Sequence, residues 1–212
     1  MLGKNMWDKN RYSKLIIDAM AGNTSLFIRL KRRIASIETS YFPTLRVAGN
    51  YSDKEQDDIR AYLFLVHAEL EYYFEEIARQ KTDEALQKWI ANRNYKSTIL
   101  MSLSCFNKTA ITTKKIRERL HIVKNSYYQI INNNHGIKEQ NILDILLPLG
   151  IHIDDIDITW LNTISSFGSQ RGDVAHQSSR VQSPLNPLDI KNNITLILQE
   201  IELLDKSIKK LK

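Results

Sequence analysis

The sequence predicts an all-α protein. Seven glycines and four prolines are few for 212 residues, and long stretches hold neither breaker. Apolar residues recur at spacings of three and four through most of the chain, the period of one helical face. The turn signals that do occur are short, so the helices join by brief connections into a bundle. Hydrophobic content of 42% and charged content of 25% supply an ordinary core and an ordinary surface.

Residues 1–24 read as an N-terminal arm or short helix, with Leu15, Ile16 and Ile17 as a small apolar patch ended by Gly22-Asn23. Residues 25–212 form the main domain. Ser25 is placed to cap a helix through about Ser40, with Leu26, Leu30, Ile34 and Ile37 on one face. Tyr41-Phe-Pro43 ends it, because proline removes a donor and restrains the residue before it. Ser52 or Asp53 caps the longest element, running to about Gln80, with Ile59, Leu63, Val66, Leu70, Tyr73 and Ile77 as its stripe. Thr82 reads as the cap of a separate helix from Asp83 to about Phe106. Thr112 or Thr113 starts a basic helix that stops at Asn132-Asn-Asn-His-Gly136. A short helix from Glu139 to Leu147 closes at Pro148-Leu-Gly150, and Asp154 or Asp155 opens the next. Beyond Pro184 and Pro187 a final amphipathic helix spans Leu188 to Leu211. The total is six to seven helices, with a long early one and a long C-terminal one.

The net charge of +6 suits a polyanionic partner. Seven Lys and Arg stand against two acids between Phe106 and Gln140, and Arg29-Leu-Lys-Arg-Arg33 forms a second basic cluster. Lys114, Lys115, Arg117 and Arg119 are the candidate nucleic-acid contacts. A single cysteine, Cys105, excludes a disulfide framework and points to a reducing, cytoplasmic setting. The first residues carry no apolar stretch of signal-peptide type, and no run is long enough to span a membrane.

Ser165-Ser-Phe-Gly-Ser-Gln-Arg-Gly-Asp-Val-Ala-His176 is the stretch that scaffold alone does not explain. It places Arg171, Asp173 and His176 within six positions, among small residues. A guanidinium for phosphate, an imidazole that titrates near neutrality and a carboxylate to orient it suit phosphodiester chemistry. Asp173 and His176 share a helical face, whereas Arg171 lies roughly 140° from His176 on an ideal helix. The two converge on one phosphate only if the helix breaks at Gly168 or Gly172, or if a second copy supplies the partner group. Two candidate ligands fall short of a metal centre, and no phosphate-binding loop, dinucleotide fingerprint or nucleophile elbow is present. No metal and no cofactor are expected. His67, Glu69 and Glu71, beside the stripe of the longest helix, form a candidate polar layer supporting the site.

Arg171-Gly-Asp-Val-Ala-His176 resembles the R-x(4–6)-H signature of HEPN domains, and the chain looks most like their RiboL-PSP-HEPN branch. Ala61-Tyr-Leu-Phe-Leu-Val-His-Ala-Glu-Leu-Glu71 resembles the branch's long early helix. His135-Gly-Ile-Lys-Glu-Gln-Asn-Ile142 and Leu147-Pro-Leu-Gly-Ile151 resemble its central segment. The resemblance implies a metal-independent endoribonuclease of toxin or defence type, acting on RNA as a homodimer, with an antitoxin or defence-system partner in some systems. It implies that the Arg–His motifs of two protomers meet in one composite site, Arg171 on the phosphate and His176 as base or acid. A non-catalytic module that binds RNA or a partner protein is the alternative. An unrelated helical DNA-binding or adaptor protein is the third reading. Gly172 stands where many members carry Asn, Asp or His, and Gln177-Ser-Ser-Arg180 lacks the tyrosine that partner enzymes modify in some members.

Overall fold

A computed structural model describes residues 22–46, 49–106, 115–176 and 183–212, with side chains for all of these except 106 and 173–176. Among them are seven α-helices and no strand: α1 (Ser25–Tyr41), α2 (Asp53–Ala91), α3 (Thr98–Phe106), α4 (Ile116–Asn132), α5 (Glu139–Leu146), α6 (Ile158–His176) and α7 (Pro187–Lys210). The expected arm lies almost wholly outside the described residues. The all-α bundle with long second and last helices is as the sequence predicts.

α2 is the spine. At 39 residues it is about 58 Å long, and it starts in a full capping box, Ser52 and Glu55 each bonding the other's backbone. α1 runs antiparallel along it, as the ring contacts Phe27–Tyr73 and Phe42–Tyr62 require. α7 runs parallel to it, through Gln56–Leu185 at one end and Lys81–Lys209 at the other. α6 and α4 cover the remaining sides, with Phe74 against Trp160 and the Tyr128 hydroxyl donating to the Arg79 carbonyl. Leu70, Tyr73, Phe74 and Ile77 are essentially inaccessible in the middle. Each buried side chain of this size contributes about 1.5–3 kcal/mol, so Leu70→Ala is a change the bundle would feel throughout.

α6 opens at Ile158 under an Asp157 cap rather than at Asp154 or Asp155, which lie in a short 3-10 turn. Three further features differ from expectation, each for a physical reason. Thr82 caps nothing: α2 continues to Ala91, and Thr82 is fully buried inside it. The apolar stripe goes on through Ala78, Ala85 and Leu86, and Lys81 reaches the last turn of α7 to donate to the Lys209 carbonyl at 3.2 Å. Burial outweighs the local capping preference of threonine. The cap of α1 is Thr24 rather than Ser25, because its hydroxyl accepts from the Phe27 amide while the Asp205 carboxylate anchors it. The third difference is in α6, which passes through Gly168 and Gly172 without a break. One helical glycine costs about 1 kcal/mol. At Gly168 a Cβ would make ordinary contact with Ile137 and Lys138, at 3.4 and 3.5 Å, and at Gly172 it would meet open space.

Candidate functional site

Three elements meet around Arg171. α2 contributes Phe64, His67 and Glu71, at spacings of three and four and therefore on one face. α6 brings Gln170 and Arg171. The turn between α4 and α5 supplies the third wall, and its shape is fixed by a buried asparagine. Asn134 donates to the Gly136 carbonyl at 3.0 Å and accepts from Asn141 at 2.9 Å. Gly136 adopts φ +140°, a conformation side chains resist. Ser165 of α6 accepts the Glu139 amide at 2.7 Å, tying the turn to α6.

Within this junction the Arg171 guanidinium lies over the Phe64 ring, 5.1 Å from its centroid. Its Nε is sealed from solvent and has no hydrogen-bond partner among the described residues, and neither has the buried Oε1 of Gln170. Unpaired buried donors are scarce in folded proteins because each costs about 1–3 kcal/mol. The His67 imidazole is held down to about 4, first by burial and then by the Arg171 charge, so it is neutral at physiological pH. Its Nδ1 is 3.8 Å from a Glu71 oxygen, a distance that counts as an ion pair only for a charged ring. Neutral His67 makes it a close contact instead. Burial and the neighbouring Glu75 raise the Glu71 carboxyl, while the Gly136 amide, Arg171 and His135 pull it back down. A cation faces one neutral base and one carboxyl, with donor capacity to spare.

The sequence-predicted residues divide accordingly. His67 and Glu71 do lie beside Arg171. Glu69 points elsewhere and pairs with Arg33 of α1 at 3.0 Å. The side chains of Asp173 and His176 are outside the described residues, but the backbone of α6 is helical through His176. Positions 171 and 176 therefore lie about 140° apart around the helix axis, and there is no break at Gly172 to bring them together.

Lys115 and Arg117 are exposed and Arg119 is half-buried at the start of α4, while Lys114 is outside the described residues. The second basic cluster is partly neutralised, Arg33 by Glu69 and Lys31 by Glu202. Phe64 and the Asn134–Gly136 turn were missed in the sequence. Phe64 sits in register with His67 and Glu71, a signal that was there to read. The turn registered only as a helix stop.

A family model described as RiboL-PSP-HEPN matches residues 28–210. No curated protein and no solved structure matches the chain.

Proposed function

This chain belongs to the RiboL-PSP-HEPN family, and from that premise we propose that it is a metal-independent endoribonuclease of toxin or defence type. Two copies share its active site. The observation that carries the reading is Arg171, a guanidinium held over Phe64 with a buried Nε that has no partner among the described residues. Such a donor suits a phosphate oxygen, whose charge grows in the transition state.

His176 of one protomer takes the proton of a ribose 2′-hydroxyl. The 2′-oxygen attacks the adjacent phosphorus, the bond to the 5′-oxygen breaks, and that oxygen takes a proton as it leaves. The products are a 2′,3′-cyclic phosphate and a 5′-hydroxyl end. Arg171 of the other protomer neutralises the pentavalent phosphorane. The unbroken helix supports this division of labour, since positions 171 and 176 of one copy fall about 140° apart around it. Asp173, three residues before His176, orients its imidazole. Lys114, Lys115, Arg117 and Arg119 guide the RNA backbone, and His67 and Glu71 hold Arg171 in place.

Purified protein incubated with RNA in EDTA should leave cyclic-phosphate ends, and His176→Ala and Arg171→Ala should not. Cleavage by both variants removes the assigned site, and loss of wild-type cleavage in EDTA removes the metal-independent route. The exposed basic start of α4 favours a second reading, RNA binding without cleavage. A wild-type protein that shifts RNA in a gel but never cuts it selects that reading.

A further inference from the structure

The other end of α6 has a different character. Fourteen residues separate Asp157 from Arg171, about 21 Å along a helix axis. There the start of α6 and the second half of α7 bound a groove of about 360 Å³. Trp160, Leu203 and Leu204 supply its apolar lining, and Asp155, Asp157 and Glu200 its acidic rim. No Lys or Arg lines it, in a chain whose net charge is +6.

α7 carries two apolar seams. Ile190, Ile194, Ile197, Ile201 and Ile208 face the core. Leu196 and Leu203 face outward, 52% and 56% exposed. Seven residues apart, they lie within about 20° of each other around the helix, and Glu200 falls between them. Behind the groove wall lies an unspent donor. The Trp160 ring is 3% exposed, yet its indole Nε1 has no hydrogen-bond partner among the described residues. None of the three rim carboxylates is in an ion pair among the described residues. Asp157 uses one oxygen to cap α6 through the Trp160 amide at 2.7 Å, which leaves the other free.

We propose that this groove docks a basic amphipathic helix of a partner protein. Its apolar residues lie along Leu196 and Leu203, the seven-residue repeat a helix in a groove presents. An Arg or Lys passes its stem over Trp160 to reach Asp155 and Glu200, where a guanidinium fork fits a carboxylate well. The acidic rim disfavours nucleic acid at this end, by the same electrostatics that favour it at the basic start of α4.

The test follows the indole N–H resonance of Trp160 in the full chain, assigned through Trp160→Phe. The probe is a helical peptide of about four turns with leucines on one face and arginines flanking them. A matched peptide carries glutamate in place of arginine. The arginine peptide should move the Trp160 resonance and leave that of Trp89 in place. The glutamate peptide should bind at least about tenfold more weakly. Asp155→Asn with Glu200→Gln should weaken the arginine peptide by roughly the same factor, and Leu203→Glu should abolish its effect. Equal binding of the two peptides, or an unmoved Trp160, overturns the proposal. So does the same shift with arginine amide, which would make this a small-cation site. A resonance that moves with the protein's own concentration also overturns it, in favour of a second copy. RNA cleavage enters none of these readouts, so this proposal and the nuclease reading fail separately.

Discussion

Two buried polar clusters hang on α2, and they are built on opposite principles. At Tyr73 the Asp205 carboxylate receives three hydrogen bonds, from the Tyr73 hydroxyl at 2.9 Å, the Thr24 amide at 2.7 Å and the Thr24 hydroxyl at 2.6 Å. Burial first, and then the Asp205 charge, push the Tyr73 phenol well above its ordinary value, so it remains a donor. All three of those donors are spent on the fold, joining α1, α2 and α7. Arg171 differs: its buried Nε and a buried Gln170 oxygen have no partner among the described residues. A polar cluster that only stabilises gains from being satisfied, because an unmet buried group costs more than a met one contributes. On the proposed reading, the unmet Arg171 donor is kept for a phosphate oxygen that arrives from outside.

The sharpest way to break this comparison is to remove one unmet donor. Arg171→Ala should lower RNA cleavage by about a hundredfold or more. It should change stability by less than about 1 kcal/mol, because the Nε has no partner to lose. Arg171→Lys should rescue little, since an ammonium lacks the planar fork. His176→Ala should cost a factor of similar size. Refolding the two inactive variants together should restore cleavage, because a mixed dimer pairs one intact Arg171 with one intact His176. Wild-type rates for Arg171→Ala, or no recovery on mixing, would overturn the shared site.

The saturated cluster should answer in the other currency. Asp205→Ala strands the Tyr73 hydroxyl and both Thr24 donors, at a cost of about 2–4 kcal/mol. Urea titration at neutral pH would register it. Cleavage per folded molecule should be unchanged when measured well below the melting temperature. An Asp205→Ala protein that is stable but inactive would reverse the roles of the two clusters.

Much of the fold was legible in the sequence because apolar spacing is a local signal, and α2, α4, α5 and α7 announce themselves by it. Thr82 shows where that legibility ends. Its side chain is a good cap in isolation, and only the packing of Ala78, Ala85 and Leu86 against distant helices overrides it. Arg171 was legible from the motif, and His67 and Glu71 from their spacing, yet Glu69 looked equivalent to them until α1 was seen to claim it through Arg33. The Asn134–Gly136 turn was hidden because its work lies in backbone direction. A Gly136 amide aimed at Glu71 leaves no mark on composition.

A subtler probe of the unsaturated cluster is pH. In the unfolded chain His67 titrates near 6.5, while in the fold it resists a proton down to about 4. Above pH 6.5 both states hold it neutral and its contribution to stability is complete. Between 6.5 and 4 the unfolded chain takes a proton that the fold refuses, and stability falls by on the order of 3 kcal/mol. Below 4 the loss stops. Glu71, raised in the fold, works in the opposite sense, since the fold takes its proton more readily than the unfolded chain does. Urea midpoints of wild type and His67→Gln across this range should separate the two, the variant losing the His67 slope and keeping the Glu71 one. Equal slopes in both would mean that His67 is solvated, and the junction open.

The smallest expected effect is also the most discriminating, because it compares neighbours. Glu69 and Glu71 are two positions apart on α2, about 200° around the helix. Glu71→Gln removes the charge facing Arg171 and should slow cleavage by roughly tenfold through a misplaced guanidinium. Glu69→Ala breaks only the partly exposed pair with Arg33, worth about 0.5 kcal/mol or less and screened by salt. Cleavage by Glu69→Ala should match wild type at every RNA concentration. If the two substitutions prove equally harmful, the helical face is not what selects the site. The loss would then belong to the net charge of α2 acting on RNA at long range, and raising the ionic strength should erase it.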